Sequence, residues 1–545
     1  MKKKFLSVLA TTAVLASLAG CQNQELSSSN SSSSDFIGSS SSSQNEEGIG
    51  IINMTRYNAD GFASGKISNR LISETDTKQY VKVSTPMEFL DALKQTNADG
   101  EYEVKVIEVM NDLELGYNEI GQDVIDKYNN NGLTNFVKNR VYVGSSLFNE
   151  VGVSQIEISN RENLTIYSKN GAKIKHAGFK ITRCKDVSIR NLQFDELWEW
   201  EDTATNASGK IGDYDRHGWS YFKINFSENI WFDHCTFGKA YDGLIDSENE
   251  SKGIHISWCQ FLGGDVSEGS YIYEMMDEVK AHYNLRKQIE AGEITAPEDY
   301  DLEKNKYYAF LRDSGISHEV ILNAICAPQK KGFLIGGGDT PDDDQWKSNK
   351  TMSFSIANSY FKNLQDRLPR VRGANAYVYN TILDCESFYE ARMSIKNMDN
   401  YDEIMATVSA NSWKLALVSQ GMVTTNEAAV KYENVIFKGV SEAIKANNKD
   451  NSNTRFTGKY CVENSRYILG DYVYTGNSGE LNTPWVNVRH TPTIDFRWNT
   501  EGGIEPFNVE KIDLDNLEKD LLDPLYGSGS GVLTFGDSFW LKAKY

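Results

Sequence analysis

The chain predicts an all-β fold, a right-handed parallel β-helix, and three observations carry that prediction. Alternating apolar residues recur in segments 187–194, 230–237, 254–261, 354–361 and 376–383, with a weaker copy at 432–437. Each copy ends on a polar residue, often Asn, with another apolar residue three places on. The steps are short: 24 residues from Ile230 to Ile254 and 22 from Phe354 to Ala376. Alternation indicates strands, and a step of this length suits one coil of a solenoid in which equivalent residues stack. A β-propeller would need blades of ~40 residues. Asn191, Asn358, Asn380 and Asn434, together with His234, are expected to stack at one corner and to bond the turn backbone.

The first residues read as an address. Lys2-Lys3-Lys4 precedes an apolar run from Phe5 to Leu18 and then Ala19-Gly20-Cys21. That pattern is an export signal over residues 1–20. Leu18-Ala19-Gly20-Cys21 is similar to a bacterial lipobox, which implies a lipid on Cys21 and a protein anchored to the outside of the cell. The apolar run is shorter than the ~20 residues of a spanning helix, and no other segment is expected to cross a membrane. Residues 21–50, mostly Ser, Asn and Gln, predict a flexible tether. Residues 51–545 are left for the globular body, with 263–328 as the largest insertion and 440–545 as a closing segment.

Charge restricts the partners. Removing residues 1–20 takes away three lysines and no acid, so the formal charge goes from −20 to −23. A body this acidic is a poor nucleic-acid binder, and a polyanionic ligand would need cations gathered locally. Cys184, Cys235, Cys259, Cys326, Cys385 and Cys461 lack the spacing of a zinc site. Export permits disulfides; small buried hydrophobes are the plainer reading. Nothing in the sequence indicates oligomerisation, so a monomer is expected.

Within the insertions, residues 270–290 predict a helix. Trp198, Trp200 and Trp219 lie in or beside the 195–219 excursion, where they would either stack on sugar rings or cap the core. Gly336-Gly337-Gly338 and the glycines between Gly527 and Gly531 lack the strand–loop–helix context of a phosphate site.

The chemistry-bearing segments are Trp231-Phe232-Asp233-His234, the acidic pair in 242–246, Lys331, and Arg367-Leu368-Pro369-Arg370-Val371-Arg372. Arginine supplies a rigid donor fork suited to carboxylates, and Pro369 fixes the local backbone. Ser84-Thr85-Pro86 before 88–93, then 106–116 and 180–194, precede these segments in order. Together they resemble family-1 polysaccharide lyases, the pectate lyase group, over roughly residues 80–390. The resemblance implies a β-helix with an N-terminal capping helix, and β-elimination on α-1,4-galacturonan with Ca2+. Asp242 and Asp246 match calcium ligands of that family. Lys331 matches its lysine on the substrate carboxylate, Arg367 the arginine that takes the C5 proton, and Arg372 a substrate-binding arginine. Arg370 is a surface charge or a structural ion-pair partner, and Asp233 orders a turn.

An arginine ordinarily keeps its proton until the pH exceeds ~12. Calcium, Lys331 and Arg372 would disfavour that form, which implies greatest activity at alkaline pH. One position departs from the family pattern. Ser220 stands where a further calcium-binding Asp is usual, so either Asp213, Asp215 or the substrate itself compensates, or calcium binding is weaker and activity reduced or absent. A non-catalytic pectin-capturing protein on the same scaffold is the alternative. A glycoside hydrolase would need paired acid and base carboxylates, and no such cluster is apparent.

Overall fold

The computed structural model describes residues 59–63, 72–128, 133–135, 151–200, 218–338, 345–411, 413, 415, 419–446, 458–477, 486–488, 496–501 and 507–532. The proposed signal, Cys21 and the Ser-rich tether lie outside the described residues. Among those residues, no helix is long and apolar enough to cross a membrane.

The body is a parallel β-helix with three sheets. Sheet 1 stacks Ser154–Ser159, Ala177–Thr182, Phe222–Asn225, Ile245–Glu248, Phe333–Ile335, Arg370–Arg372, Gln420–Thr425 and Glu442–Ala446, all parallel. Sheet 2 stacks Glu162–Tyr167, Lys185–Arg190, Glu228–Asp233, Lys252–Ser257 and Ser353–Ala357. Sheet 3 stacks Lys173–Lys175, Gln193–Asp195, Thr236–Gly238, Gln260–Gly263 and Tyr360–Lys362. The long strands Asn375–Asp384 and Ala429–Lys438 run through sheets 2 and 3 together. The N-terminal end is covered by helix Pro86–Lys94, fixed by a capping box between Thr85 and Glu88.

The repeat seen in the sequence is a set of stacked side chains. Phe194, Phe237, Phe261 and Phe361 form a continuous pile, with successive ring centroids 5.1, 4.7 and 4.5 Å apart. Each ring is buried and contributes about 1.5–3 kcal/mol of burial energy. At the corner between sheets 2 and 3, Asn191, His234, Trp258, Asn358, Asn380, Asn434 and Asn464 all take left-handed backbone angles. Asn tolerates that region better than branched residues do. The Asn380 amide donates to Asn358 Oδ1 at 2.9 Å, Asn434 to Asn380 at 2.7 Å and Asn464 to Asn434 at 2.8 Å. His234 stacks on Trp258 instead, at 5.9 Å. The corner residues are structural, as expected.

The described residues of the 440–545 segment lie both on the last coils and along the corner. Strands Lys459–Glu463 and Ser465–Leu469 extend the coils, and the chain then turns back along the corner. Asn380 and Asn434 donate to the carbonyls of Glu510 and Ile512, and Gly531 N–H reaches Asn191 Oδ1 at 2.7 Å. The corner amides carry bonding capacity beyond their own ladder, and the returning strap uses it.

The excursions between Asp195 and Phe222, between Gly263 and Phe333, and between Asp384 and Gln420 each leave from sheet 3 and enter sheet 1. The 263–328 insertion holds the expected helix, Tyr271–Glu290, N-capped by Ser270, then helices Lys306–Asp313 and His318–Ile321. A further pair, Glu386–Lys396 and Tyr401–Ala410, had no counterpart in the sequence reading. Trp200, Tyr307 and Trp413, one from each of three excursions, stack in series at 5.9 and 5.1 Å. Trp198, Trp200 and Trp219 are all buried, so they cap the core and offer no sugar platform. The six described cysteines are free thiols.

Candidate active site

Three successive coils build the site on the outer face of sheet 1. Ile245–Glu248 supplies Asp246, the turn before it supplies Asp242, the next coil supplies Lys331, and the one after supplies Arg367. Backbone bonds hold the turns tightly: Asp242 N–H to Trp219 O at 3.0 Å, Leu244 N–H to Gly332 O at 2.8 Å and Phe333 N–H to Arg367 O at 2.9 Å. Two glycines permit that approach. A β-carbon on Gly243 would lie 2.8 Å from Asp246 Oδ1, and one on Gly332 would overlap the carbonyl of Arg367.

Lys331 Nζ lies 2.5 Å from Asp242 Oδ1. Gln329, buried beneath, donates from one amide nitrogen to the carbonyls of Asp242 and Lys331 at 2.7 and 2.8 Å. That clamp fixes both residues, and no composition or spacing signal pointed to it. Asp246 accepts from Leu334 N–H at 3.3 Å and from Ser220 Oγ at 3.2 Å. Ser220 Oγ also accepts from Gly243 N–H at 3.2 Å. The serine therefore orients the acidic turn instead of adding a charged oxygen. Asp213 and Asp215 lie outside the described residues.

Arg367 sits at φ +70, an angle that costs a non-glycine residue energy. Its Nε is buried without a hydrogen-bond partner, and no carboxylate pairs with it among the described residues. It is nonetheless close enough to Asp246 to act on its charge. Arg372 lies farther along. Val371 points inward, so Arg370 and Arg372 face outward, and Arg372 stands ~6.6 Å beyond Arg370 along the strand. The structure thus brings Asp242, Asp246, Lys331 and Arg367 together, and Arg372 faces outward on the same coil as Arg367. Asp233 is fully buried, bonded by Arg190 at 3.0 and 3.1 Å and by Ser257 at 3.0 Å; it is a structural anchor, as expected.

A pectate lyase B from Paenibacillus amylolyticus is 35% identical over 390 residues, spanning 70% of this chain and 86% of the relative. The chain belongs to the pectate lyase family. The solved structure of a pectate lyase from Paenibacillus sp. 0602 superposes with a TM-score of 0.74 at 32% identity, covering 90% of this chain and 100% of the other. A pectate trisaccharide-lyase from Thermotoga maritima is 25% identical over 209 residues, 38% of this chain and 36% of that one. No family model matches the chain. The protein is a polysaccharide lyase.

The acidic pair of this lyase fits a hard cation. Burial, then the charge of Asp242, push the Asp246 carboxyl up to about 6, while Lys223 and Arg367 pull the other way. Carboxylates that repel each other in a half-buried turn are relieved by a cation that prefers oxygen ligands. The members of another trio with metal-ligating atoms, Glu114, Glu119 and His176, are already engaged: Lys175 pairs with Glu114 at 3.0 Å and His176 with Glu119 at 2.9 Å.

Proposed function

We propose that this lyase cleaves unesterified α-1,4-galacturonan by β-elimination, with Arg367 as the base. The observation that carries the reading is the Arg367 guanidinium, which has no carboxylate partner among the described residues, sits on the coil next to the Lys331–Asp242 pair and acts on the charge of Asp246. Arg367 takes the proton from C5. The freed electron pair forms the C4–C5 double bond, the C4–O bond breaks, and the departing oxygen takes up a proton. Lys331 and Arg372 bind uronate carboxylates and balance the charge that grows next to C5. Ca2+ held by Asp242 and Asp246 would add positive charge at the substrate carboxylate. Activity rises toward alkaline pH in this reading. A non-catalytic capture protein is not favoured, because close relatives over most of the chain are lyases.

The reading also places the enzyme outside the cell as a monomer, held through a lipid on Cys21 and a Ser-rich tether. Its support is the residue pattern at 18–21 and the composition of 21–50.

The test follows ultraviolet absorbance during incubation with polygalacturonate, with Ca2+ or with a chelator. Absorbance that the chelator suppresses supports the reading. New reducing ends without absorbance would indicate hydrolysis, and binding without either would leave capture alone.

A further inference from the structure

The outer face of sheet 1 carries a second charged feature next to the site. Strand register aligns Glu157, Lys180, Lys223, Asp246, Leu334 and Arg370 in one row across successive coils. The inward neighbours are buried: Phe179 and Ile181 flank Lys180, and Phe222 and Ile224 flank Lys223. Both lysines therefore point out of the sheet, on rungs ~4.8 Å apart.

Neither lysine has an ion-pair partner among the described residues. Several other half-buried lysines of the β-helix are paired. Lys169 meets Glu74 at 2.8 Å, Lys175 meets Glu114 at 3.0 Å, Lys350 meets Glu427 at 2.9 Å and Lys431 meets Glu433 at 2.8 Å. Two like charges on neighbouring rungs repel each other. In a chain of net charge −20, two adjacent ammonium groups between Glu157 and Asp246 put positive charge on one strip of the sheet.

The strip adjoins the departure at Ser220. That serine lies three residues before Lys223 and bonds Asp246 at 3.2 Å, and the Lys223 charge acts on the same carboxylate. This part of the cleft thus has a neutral oxygen and a fixed ammonium. A polyuronate presents a carboxylate on every residue, so a chain lying along the β-helix axis would offer its charges in turn to the row.

We propose that Lys223 and Lys180 bind the carboxylates of successive uronate residues on the N-terminal side of Asp246, extending the cleft by fixed positive charge. This rests on the lyase reading for the identity of the polymer. It predicts that the extended cleft discriminates against methyl-esterified chains, whose esters offer no charge to an ammonium.

The experiment compares Lys180→Gln, Lys223→Gln and the double variant with wild type. Lys252→Gln, an exposed change on sheet 2, controls for net charge. Two quantities are read: retention in gels containing polygalacturonate, and the split of kcat and KM on polymers of low and high methyl esterification. Each single change is expected to weaken retention and raise KM on the unesterified polymer about tenfold, with the double variant worse. The same changes should have little effect on the highly esterified polymer, and Lys252→Gln should behave as wild type. The proposal is overturned if the double variant is retained like Lys252→Gln, if the loss ignores esterification, or if the wild-type protein does not bind polygalacturonate. A wild type that binds but forms no unsaturated product refutes the lyase reading alone, and the retention data still judge the lysines.

Discussion

The carbonyl of Arg367 occupies the space that a β-carbon on Gly332 would fill, and the same oxygen accepts the Phe333 N–H at 2.9 Å. The turn carrying the proposed base therefore rests directly on the turn after Lys331. Gly332→Ala should push the Arg367 turn outward. A displacement of about 1 Å can cost ~100-fold in rate, so kcat should fall at least tenfold while the protein stays folded. Circular dichroism with elimination kinetics checks this, and a folded variant with unchanged kcat would show that the fit is unimportant.

His176 supplies a pH prediction. Its ring nitrogens lie 2.9 Å from Glu119 and 3.0 Å from Glu196. Burial alone would lower its pKa, but the hydrogen bonds and charges of the two glutamates outweigh it and raise the value to about 9. The folded value lies above the unfolded one of ~6.5. The stabilisation is therefore complete below about pH 6.5 and is lost as pH rises through about 9. It amounts to at most roughly 3 kcal/mol. His176→Gln should lower the urea midpoint clearly at pH 6 and much less at pH 10. Equal losses at both would remove the charge from the explanation.

The asparagine corner gives a prediction about stability. Asn380 donates to Asn358 and to the Glu510 carbonyl, accepts from Asn434, and holds φ +47. Asn380→Ala loses the bonds and strains the backbone, which together cost about 2–4 kcal/mol. Asn380→Gly loses only the bonds. Melting temperatures should fall in the order wild type, Gly, Ala; a variant pair indistinguishable from wild type would show that the ladder is idle.

The repeating parts of the molecule were legible because stacking leaves a period in the chain. The phenylalanines at 194, 237, 261 and 361 and the corner asparagines are the same position met again in each coil. The proposed site was legible only through the resemblance, since Asp242, Lys331 and Arg367 are 89 and 36 residues apart in sequence and meet only across coils. Gln329 and Lys223 went unnoticed, because a buried glutamine clamp and an outward lysine on a short strand carry no local signature. Helices Glu386–Lys396 and Tyr401–Ala410 were missed because their buried faces are completed by another excursion: Asn400 donates to Ser314 at 3.0 Å and Tyr307 stacks on Trp413.

The most direct test of the account is the initial rate of unsaturated product formation by Arg367→Ala, measured beside its retention on polygalacturonate. The account predicts a rate at least a thousandfold below wild type, with retention within a few-fold because Lys331 and the acidic turn remain in place. A variant that forms unsaturated product at the wild-type rate would contradict it.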